Sequence, residues 1–243
     1  MTTAALVIPA WNEPESIGAV LDEVPAGCVD DIIVVVPDVT DPTLPAARAH
    51  GARTVVQARP GYGAACSAGA QAAAAGGAEI VVFLDGDYSD PPAAVPRVLA
   101  PILAGRADLV LGCRDLRRFS HALPVHARAG NWLVRMLVLF LVRHNFTDMP
   151  SFKAIRVAAL SRLDMREATY GWTVEMLVKG ALAGLTIEEL AVEYRPRLGG
   201  RSKVAGSVRG SLGAAWKLLG CVLAYASWRP DPAAQALSIA SGQ

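Results

Sequence analysis

The chain has 243 residues, of which 53% are hydrophobic and 19% are charged, so it can bury a large core and is not intrinsically disordered as a whole. Its 23 basic and 22 acidic residues give a net charge of +1, which provides no global attraction to nucleic acid. The four cysteines are far apart and form no C-x-x-C pair, which argues against a zinc motif and favours reduced thiols in the cytoplasm.

Short runs rich in Val, Ile and Leu alternate with helical segments along the first half of the chain. This alternation is typical of a parallel sheet with helices on both faces, so we predict an open, mostly parallel α/β fold. The predicted strands are 4–8, 32–36, 53–57, 80–84 and 108–112, and the predicted helices are 15–24, 43–50, 63–75 and 93–103.

The pattern changes after about residue 115. Here the sequence predicts a long helix over 126–144, a loop over 147–152, a helix over 172–182 and a strand over 186–194. A basic, glycine-containing turn over 195–203 follows this strand, and residues 229–243 are predicted to form a flexible tail.

Two apolar stretches, 132–142 and 211–228, are the candidates for contact with a membrane. Each is interrupted by a basic residue, so neither predicts a membrane span. The first stretch suits a buried core helix, which is the simpler interpretation, or a helix that lies on a membrane surface. Peripheral membrane contact and a homo-oligomer are therefore left open.

The most informative segment is 80–92, in which an apolar strand is followed by Asp85-Gly86-Asp87. Open α/β sheets bind ligands beyond the carboxyl ends of their strands, which is where these acids lie. Side chains two residues apart in an extended chain point the same way, so Asp85 and Asp87 predict a site for Mg²⁺ or Mn²⁺ shared with phosphates. The alternative is a polar turn with solvated acids.

Several motifs, in this order and spacing, resemble the family 2 glycosyltransferases. The similarity is greatest to the branch of dolichyl-phosphate mannose synthases and polyprenyl-phosphate glycosyltransferases. The matching segments are 6–13, 85–92, 109–114, 148–153, 173–175 and 200–203. The resemblance implies a GT-A fold over 1–228, with a nucleotide-binding half at about 1–115 and an acceptor half at about 116–228.

The resemblance also implies metal-assisted transfer of a sugar from a UDP- or GDP-linked donor to a phosphate-bearing acceptor, for which a polyprenyl phosphate is one candidate. Asp85 and Asp87 would hold the metal against the diphosphate, and Asp85 would also face the nucleotide. The residues implied beside the nucleobase and ribose are Pro9, Ala10, Asn12 and Glu13.

The resemblance places acceptor groups in the second half of the chain. Arg114 and Arg128 would bind the acceptor phosphate, while Asp148 and Glu175 are the candidate general bases. A base is needed only for a hydroxyl acceptor, because a phosphate is already an anion. The residues implied to close over the diphosphate are Arg201, Ser202 and Lys203.

The segment after the second predicted strand departs from the family pattern. Where the family has Asp-Asp-Gly-Ser-Thr-Asp, residues 36–41 read Val-Pro-Asp-Val-Thr-Asp. The acid that contacts the base or ribose is replaced by Pro37, and Asp38 is its nearest substitute. A catalytically impaired nucleotide-binding protein of the same fold is therefore one alternative.

A dinucleotide-dependent oxidoreductase is a second, less favoured alternative. Gly61-Tyr62-Gly63 follows a predicted strand and opens a helix, and Asp85 ends the next strand, as a ribose-binding acid would. Against it, Cys66 stands in place of the third glycine, and three acids lie where one is needed.

Overall fold

The computed structural model describes residues 2–114, 125–199 and 208–230, without the side chains of 125–129 and 208–215. The strands are β1 Ala4–Pro9, β2 Asp31–Val36, β3 Arg53–Val56, β4 Ile80–Phe83, β5 Leu109–Arg114, β6 Lys153–Arg156 and β7 Ile187–Val192. The helices are α1 Ile17–Glu23, α2 Thr43–Ala49, α3 Tyr62–Ala75, α4 Val95–Leu103, α5 Val125–Val142, α6 Val157–Arg162, α7 Trp172–Leu182 and α8 Val208–Tyr225.

The strands form one sheet in the order β3-β2-β1-β4-β6-β5-β7. Of these strands, β6 alone runs against its neighbours, and it pairs with both β4 and β5. The predicted helices and strands are present, with ends shifted by a few residues, and the mostly parallel sheet is confirmed. The sequence analysis did not predict β6, α6 or α8; β6 begins with a lysine, which is buried here, so its sequence does not form an apolar run.

The sheet is buried on both faces by two separate cores. Successive residues of β1 alternate between them: Val7 packs in the core with α3, α5 and α7, and Ile8 packs in the core with α1, α2 and α4. Helix α3 lies close to the sheet at Gly69, where a Cβ atom would lie 2.2 Å from Cγ1 of Val7. This burial on both faces explains why the central strands β1 and β4 are continuous apolar runs.

Helix α5 has apolar side chains both in the core and on the surface. Val134 and Val138 are buried in the core, whereas Trp132 and Phe140 are exposed on the other side of the helix. Among the residues that the structure describes, no helix is long and apolar enough to cross a membrane.

The reversed strand determines which loops meet. The carboxyl ends of β1, β2, β4 and β5 lie at one edge of the sheet, and β6 begins there because it runs the other way. Lys153 pairs with Phe83 of β4 and with Leu111 of β5. The loop 147–152 therefore enters the edge at which Asp85 and Asp87 lie.

Candidate active site

Asp85 follows β4 and lies in the interior of this edge. Its Oδ1 atom is buried and makes no hydrogen bond to any residue that the structure describes. Burial and the nearby charge of Asp87 raise the pKa of Asp85 to about 6. An uncompensated carboxylate oxygen in the interior is costly, so this group is suited to an incoming cation.

Asp87 is buried and held by its own turn. Its Oδ1 accepts hydrogen bonds from the backbone N–H of Ser89 at 2.9 Å and from the Ser89 hydroxyl at 2.6 Å. Its Oδ2 lies 3.1 Å from Nη2 of Arg197. Tyr88, which lies between Asp87 and Ser89, has a positive φ of 66°, and this bends the chain back over Asp87.

A third carboxyl and a buried ammonium complete this acidic cluster. Asp90 is buried and accepts a hydrogen bond from Ser151 Oγ at 3.0 Å. Burial and the charges of Asp85 and Asp87 raise its pKa to about 8. Lys153 Nζ donates to the carbonyl of Pro150 and to Thr173 Oγ1, and burial lowers its pKa to about 8. Burial, and after it the neighbouring carboxylates, thus disfavours the ionised form of these acids.

The cluster fits a metal that arrives with its substrate. In the described part of the chain, no three acidic, histidine or cysteine side chains form a ready-made metal cage. Mg²⁺ is usually bound by one or two carboxylates together with substrate phosphates, rather than by protein alone. Asp85 and Asp87 are the pair that the sequence analysis predicts for this role.

The loop after β1 is fixed by residues that the sequence analysis did not single out. Asn12 has a positive φ of 55°, and its backbone N–H donates to both carboxylate oxygens of Asp41, at 3.2 and 3.0 Å. The N–H of Glu13 donates to Thr43 Oγ1 at 2.9 Å. The detectable signal was the Asp41-x-Thr43 pattern at the start of α2, which is typical of a helix N-terminus.

The residues predicted beside the nucleotide lie at the same edge. Ala10 packs against the turn of Asp85 and Asp87, because a Cβ atom on Gly86 would lie 3.0 Å from its own Cβ. Pro9 ends β1 and precedes Ala10 directly. Ser16 donates its hydroxyl to the carbonyl of Gly86 at 2.7 Å, which connects the first loop to the acidic turn.

Asp38, the nearest substitute for the missing acid, is exposed after β2. Its Oδ1 accepts hydrogen bonds from the N–H of Thr40 at 2.8 Å and from the Thr40 hydroxyl at 2.5 Å. These bonds lower the pKa of Asp38 and keep it ionised. One carboxylate oxygen of Asp38 is thus occupied by hydrogen bonds within its own turn.

The segment 194–199, named the strap below, covers the acidic turn. The N–H of Arg195 donates to the carbonyl of Ser89 at 2.9 Å, and the N–H of Leu198 donates to the carbonyl of Asp87 at 3.2 Å. Arg195 also makes two hydrogen bonds to Glu23, at 2.8 and 3.0 Å.

The residues predicted to close over the diphosphate, Arg201, Ser202 and Lys203, lie outside the described residues.

Arg114 ends β5 and is held in place by Asp148. Nε and Nη2 of Arg114 each lie 2.7 Å from one oxygen of Asp148, and Asn131 Nδ2 donates to Asp148 at 2.9 Å. Burial alone would raise the pKa of Asp148, but the Arg114 hydrogen bonds and charge outweigh it and lower that pKa. Asp148 is thus a weak base that positions Arg114.

Glu175 is fully buried in the first turn of α7. One oxygen accepts hydrogen bonds from the Arg166 N–H and from Lys179 Nζ, and the other accepts from the Glu167 N–H. These partners belong to the loop before α7 and to α7 itself, not to the acidic cluster. The structure therefore gives the candidate base Glu175 a structural role.

Arg128 lies on α5, and its side chain is outside the described residues.

The start of α3 contradicts the oxidoreductase alternative. The N–H of Ala64 donates to the carbonyl of Ala168 at 2.9 Å. A Cβ atom on Gly63 would lie 2.2 Å from the carbonyl oxygen of Glu167. The glycines serve this close contact between α3 and the loop 167–169, so a dinucleotide diphosphate has no room at the helix start.

Comparison with known proteins agrees with this geometry. Residues 5–163 match the family described as Glycosyl transferase family 2. An uncharacterized glycosyltransferase of Mycobacterium tuberculosis is 39% identical over 217 residues, which cover 88% of this chain and 96% of the relative. A dolichyl-phosphate hexose transferase of Haloferax volcanii is 33% identical over 199 residues, 80% of this chain and 84% of the relative.

A solved structure is similar over nearly the whole chain. It is glucosyl-3-phosphoglycerate synthase from Mycobacterium tuberculosis in complex with Mn²⁺, UDP-glucose and phosphoglyceric acid. The identity is 26% and the TM-score is 0.72, and the match covers 95% of this chain and 82% of the other. The likeness confirms the GT-A fold.

Proposed function

We propose, from the premise that the chain belongs to glycosyl transferase family 2, that it transfers a sugar from a UDP- or GDP-linked donor to a phosphate-bearing acceptor. The observation that carries the proposal is the buried Asp85 carboxylate, whose Oδ1 has no partner among the described residues, beside Asp87 at the sheet edge. Such a pair of carboxylates suits a divalent cation that is shared with a diphosphate.

Asp85 and Asp87 would hold Mg²⁺ or Mn²⁺ in this proposal, and the related synthase was crystallised with Mn²⁺ and UDP-glucose. The metal would stabilise the negative charge that develops on the departing nucleoside diphosphate. The nucleoside would lie against the loop after β1, whose conformation Asp41 and Thr43 fix. Asp38, at the end of β2, is the available acid on that side.

Arg114 is the proposed ligand of the acceptor phosphate. Asp148 engages Nε and Nη2, so the plane of the guanidinium is fixed before the acceptor binds. An acceptor phosphate oxygen would form a bond to the anomeric carbon, while the bond from that carbon to the diphosphate breaks and its electron pair leaves with the diphosphate. An ionised phosphate does not need a general base to remove a proton. This is consistent with Asp148 and Glu175, whose carboxylate oxygens are already occupied by hydrogen bonds.

An exposed apolar surface next to Arg114 favours a lipid-linked acceptor. We name it the apolar face; it consists of Trp132, Leu133, Leu139 and Phe140 of α5 with Trp216 and Leu223 of α8. It begins directly after Asn131, the residue that donates to Asp148 beside Arg114. A groove of about 610 Å³ between Met136, Leu139, Phe140 and Arg143 lies on the same surface. Apolar side chains with a basic neighbour are typical of helices at lipid surfaces.

The donor part of the proposal can be tested by thermal stabilisation. A ligand that binds only the folded state raises the melting temperature, and the rise increases with the ratio of ligand concentration to Kd. UDP and GDP should each be measured with Mn²⁺ and with a chelator. We expect one of them to stabilise the protein with Mn²⁺ and much less with chelator; equal stabilisation under both conditions would exclude the metal role.

The acceptor part can be tested by flotation with anionic liposomes. Wild type should float, and Phe140→Glu should float less, because its charge would enter the apolar face, where Phe140 is 80% exposed. Leu103→Glu is the matched control, since Leu103 of α4 is also exposed but lies outside that face. A wild type that does not float, yet glycosylates a water-soluble phosphate such as phosphoglyceric acid, would identify a soluble acceptor instead.

A further inference from the structure

We infer that Arg197 of the strap is an internal counter-ion of the donor site, which exchanges its carboxylate partners for the donor diphosphate when the donor and its metal bind. The inference rests on the proposed function, because it assumes a diphosphate at Asp85 and Asp87. It adds a residue that the sequence motifs did not include among the donor ligands.

The contacts of Arg197 show a cation between two acidic groups. Its Nη2 atom lies 2.7 Å from Glu13 Oε1 and 3.1 Å from Asp87 Oδ2. Glu13 belongs to the loop after β1 and Asp87 to the loop after β4, so one guanidinium nitrogen connects both walls of the site. The side chain is 25% exposed, which leaves it accessible from the open side.

The guanidinium also retains unused binding capacity. Its Nε atom is buried and has no hydrogen-bond partner among the residues that the structure describes. A buried N–H donor without an acceptor costs free energy. The position of Arg197 is therefore not that of a fully satisfied, permanent salt bridge. The planar guanidinium group offers paired donors that match phosphate oxygens.

The strap backbone allows the side chain to move alone. The N–H of Leu198 is bonded to the carbonyl of Asp87, and Arg195 is bonded to Ser89 and Glu23 on the other side of Arg197. These three contacts involve the flanking residues and do not require the Arg197 side chain. Arg197 can therefore change rotamer while the strap stays on the acidic turn.

Competition at Asp87 makes the exchange necessary. A divalent cation bound by Asp87 and the guanidinium at 3.1 Å from the same carboxylate would repel each other. A diphosphate brings several negative charges and gives Arg197 a new partner. A metal ion that binds without nucleotide must displace Arg197 from Asp87, and Arg197 then has no anionic partner to replace the carboxylate. The metal should therefore bind weakly alone and strongly together with the diphosphate.

The test measures Mn²⁺ affinity by electron paramagnetic resonance, without and with UDP or GDP, on the full chain. The variants are Arg197→Gln and Arg197→Met, the second of which keeps the aliphatic stem. The matched control is Arg106→Gln, because Arg106 precedes the amino end of β5, opposite the carboxyl edge, and forms a surface pair with Glu188 at 3.0 Å. Circular dichroism and the melting temperature establish that each variant is folded.

Both Arg197 variants should bind Mn²⁺ alone about tenfold more tightly than wild type, as expected when a charged competitor for a carboxylate is removed. The gain in Mn²⁺ affinity on adding the nucleotide should shrink by about tenfold, because the diphosphate loses one charged ligand. Arg106→Gln should leave both quantities unchanged.

Mn²⁺ affinity equal to wild type in both folded variants would overturn the counter-ion role. Loss of folding in both would also overturn it and would make Arg197 a structural residue. A wild type whose Mn²⁺ affinity does not respond to UDP or GDP would contradict the proposed function. Tighter Mn²⁺ binding by the variants would in that case still support the counter-ion role at Asp87.

Discussion

Two clusters of buried charge in this molecule differ in how completely they are compensated. In the cluster around Glu175 and Lys179, both oxygens of the carboxylate accept hydrogen bonds, and the ammonium also donates to the carbonyl of Asp164 at 2.6 Å. In the cluster around Asp85, an oxygen lacks a partner among the described residues, and the pKa values of Asp85 and Asp90 are raised. The first arrangement stabilises the fold, and the second is suited to bind a cationic ligand.

The surroundings of the two clusters support this distinction. Lys179 lies under the rings of Tyr225 and Trp228, with Nζ 4.8 and 5.3 Å from their centroids, so the ion pair is closed off by the end of α8 and the residues after it. The acidic cluster instead lies at the carboxyl edge of the sheet, where Arg197 of the strap is a quarter exposed. A carboxylate in a closed, satisfied site is a poor candidate for catalysis.

The largest effect should come from breaking the compensated pair. Glu175→Ala leaves Lys179 charged and unpaired in the interior, which typically costs about 3 to 5 kcal/mol of folding free energy. Urea denaturation should show this loss, whereas Glu188→Ala, which removes a partly exposed partner of Arg106, should cost about 0 to 1 kcal/mol. A folded Glu175→Ala protein with wild-type stability and no transferase activity would restore Glu175 as a candidate base.

Removing a charge from the uncompensated cluster should affect binding rather than folding. We expect Asp87→Asn to weaken Mn²⁺-dependent nucleotide binding by about a hundredfold, because a charged ligand of the metal is lost. Its melting temperature should change little, since loss of the ion pair with Arg197 is offset by relief of the like-charge repulsion with Asp85. Calorimetry with UDP and GDP measures the affinity, and Asp164→Asn, an exposed acid, is the control. Unchanged nucleotide affinity would count against the metal site.

The acceptor side should respond separately from the donor side. Arg114→Gln removes a charge-assisted contact to phosphate, which is worth roughly 1.5 to 3 kcal/mol, so the acceptor should bind about tenfold more weakly or worse. Donor affinity should change much less, because the Arg114 side chain is hydrogen-bonded to Asp148 and not to Asp85 or Asp87. Initial rates at varied donor and acceptor concentrations separate the two effects. A defect confined to the nucleotide sugar would refute the acceptor role of Arg114.

Sequence patterns were sufficient for the features that depend on local periodicity. The apolar strand before Asp85 located the acidic turn at the sheet edge, and the motif spacing gave the GT-A fold. The role of Arg197 could not be predicted, because it depends on contact with Glu13, which is 184 residues away along the chain. The local spacing of Glu175 and Lys179, four residues apart on one helix, did contain the signal for a structural ion pair.

The same dependence on long-range contacts explains why the sequence did not reveal the partner of Asp148. Its motif suggested a base, but its chemistry is set by Arg114, which approaches only because β6 runs antiparallel between β4 and β5. The residue pattern within a strand does not reveal the direction of its neighbours in the sheet, and β6 was not predicted at all. Most elements were therefore predictable, and their partners across the sheet were not.

The smallest effect concerns pH, and it distinguishes the clusters without any ligand. Asp90 has a pKa raised to about 8, so the folded protein binds this proton more tightly than the unfolded chain does. The resulting stability is present at acid pH and is lost as pH rises toward 8; Asp85, with a pKa of about 6, acts in the same direction. Lys153, whose pKa is lowered to about 8, stays protonated and contributes a constant cost below that pH. The melting temperature of metal-free protein should therefore fall between pH 5 and 8.

Asp90→Asn should make this fall smaller, because the amide side chain does not take up a proton. Asp164→Asn, in an exposed ion pair, should keep the wild-type profile. Differential scanning fluorimetry in chelator across the pH range is sufficient. Profiles of wild type and Asp90→Asn that run parallel would show that Asp90 does not titrate in this window, and the acidic cluster would then be better compensated than its geometry indicates.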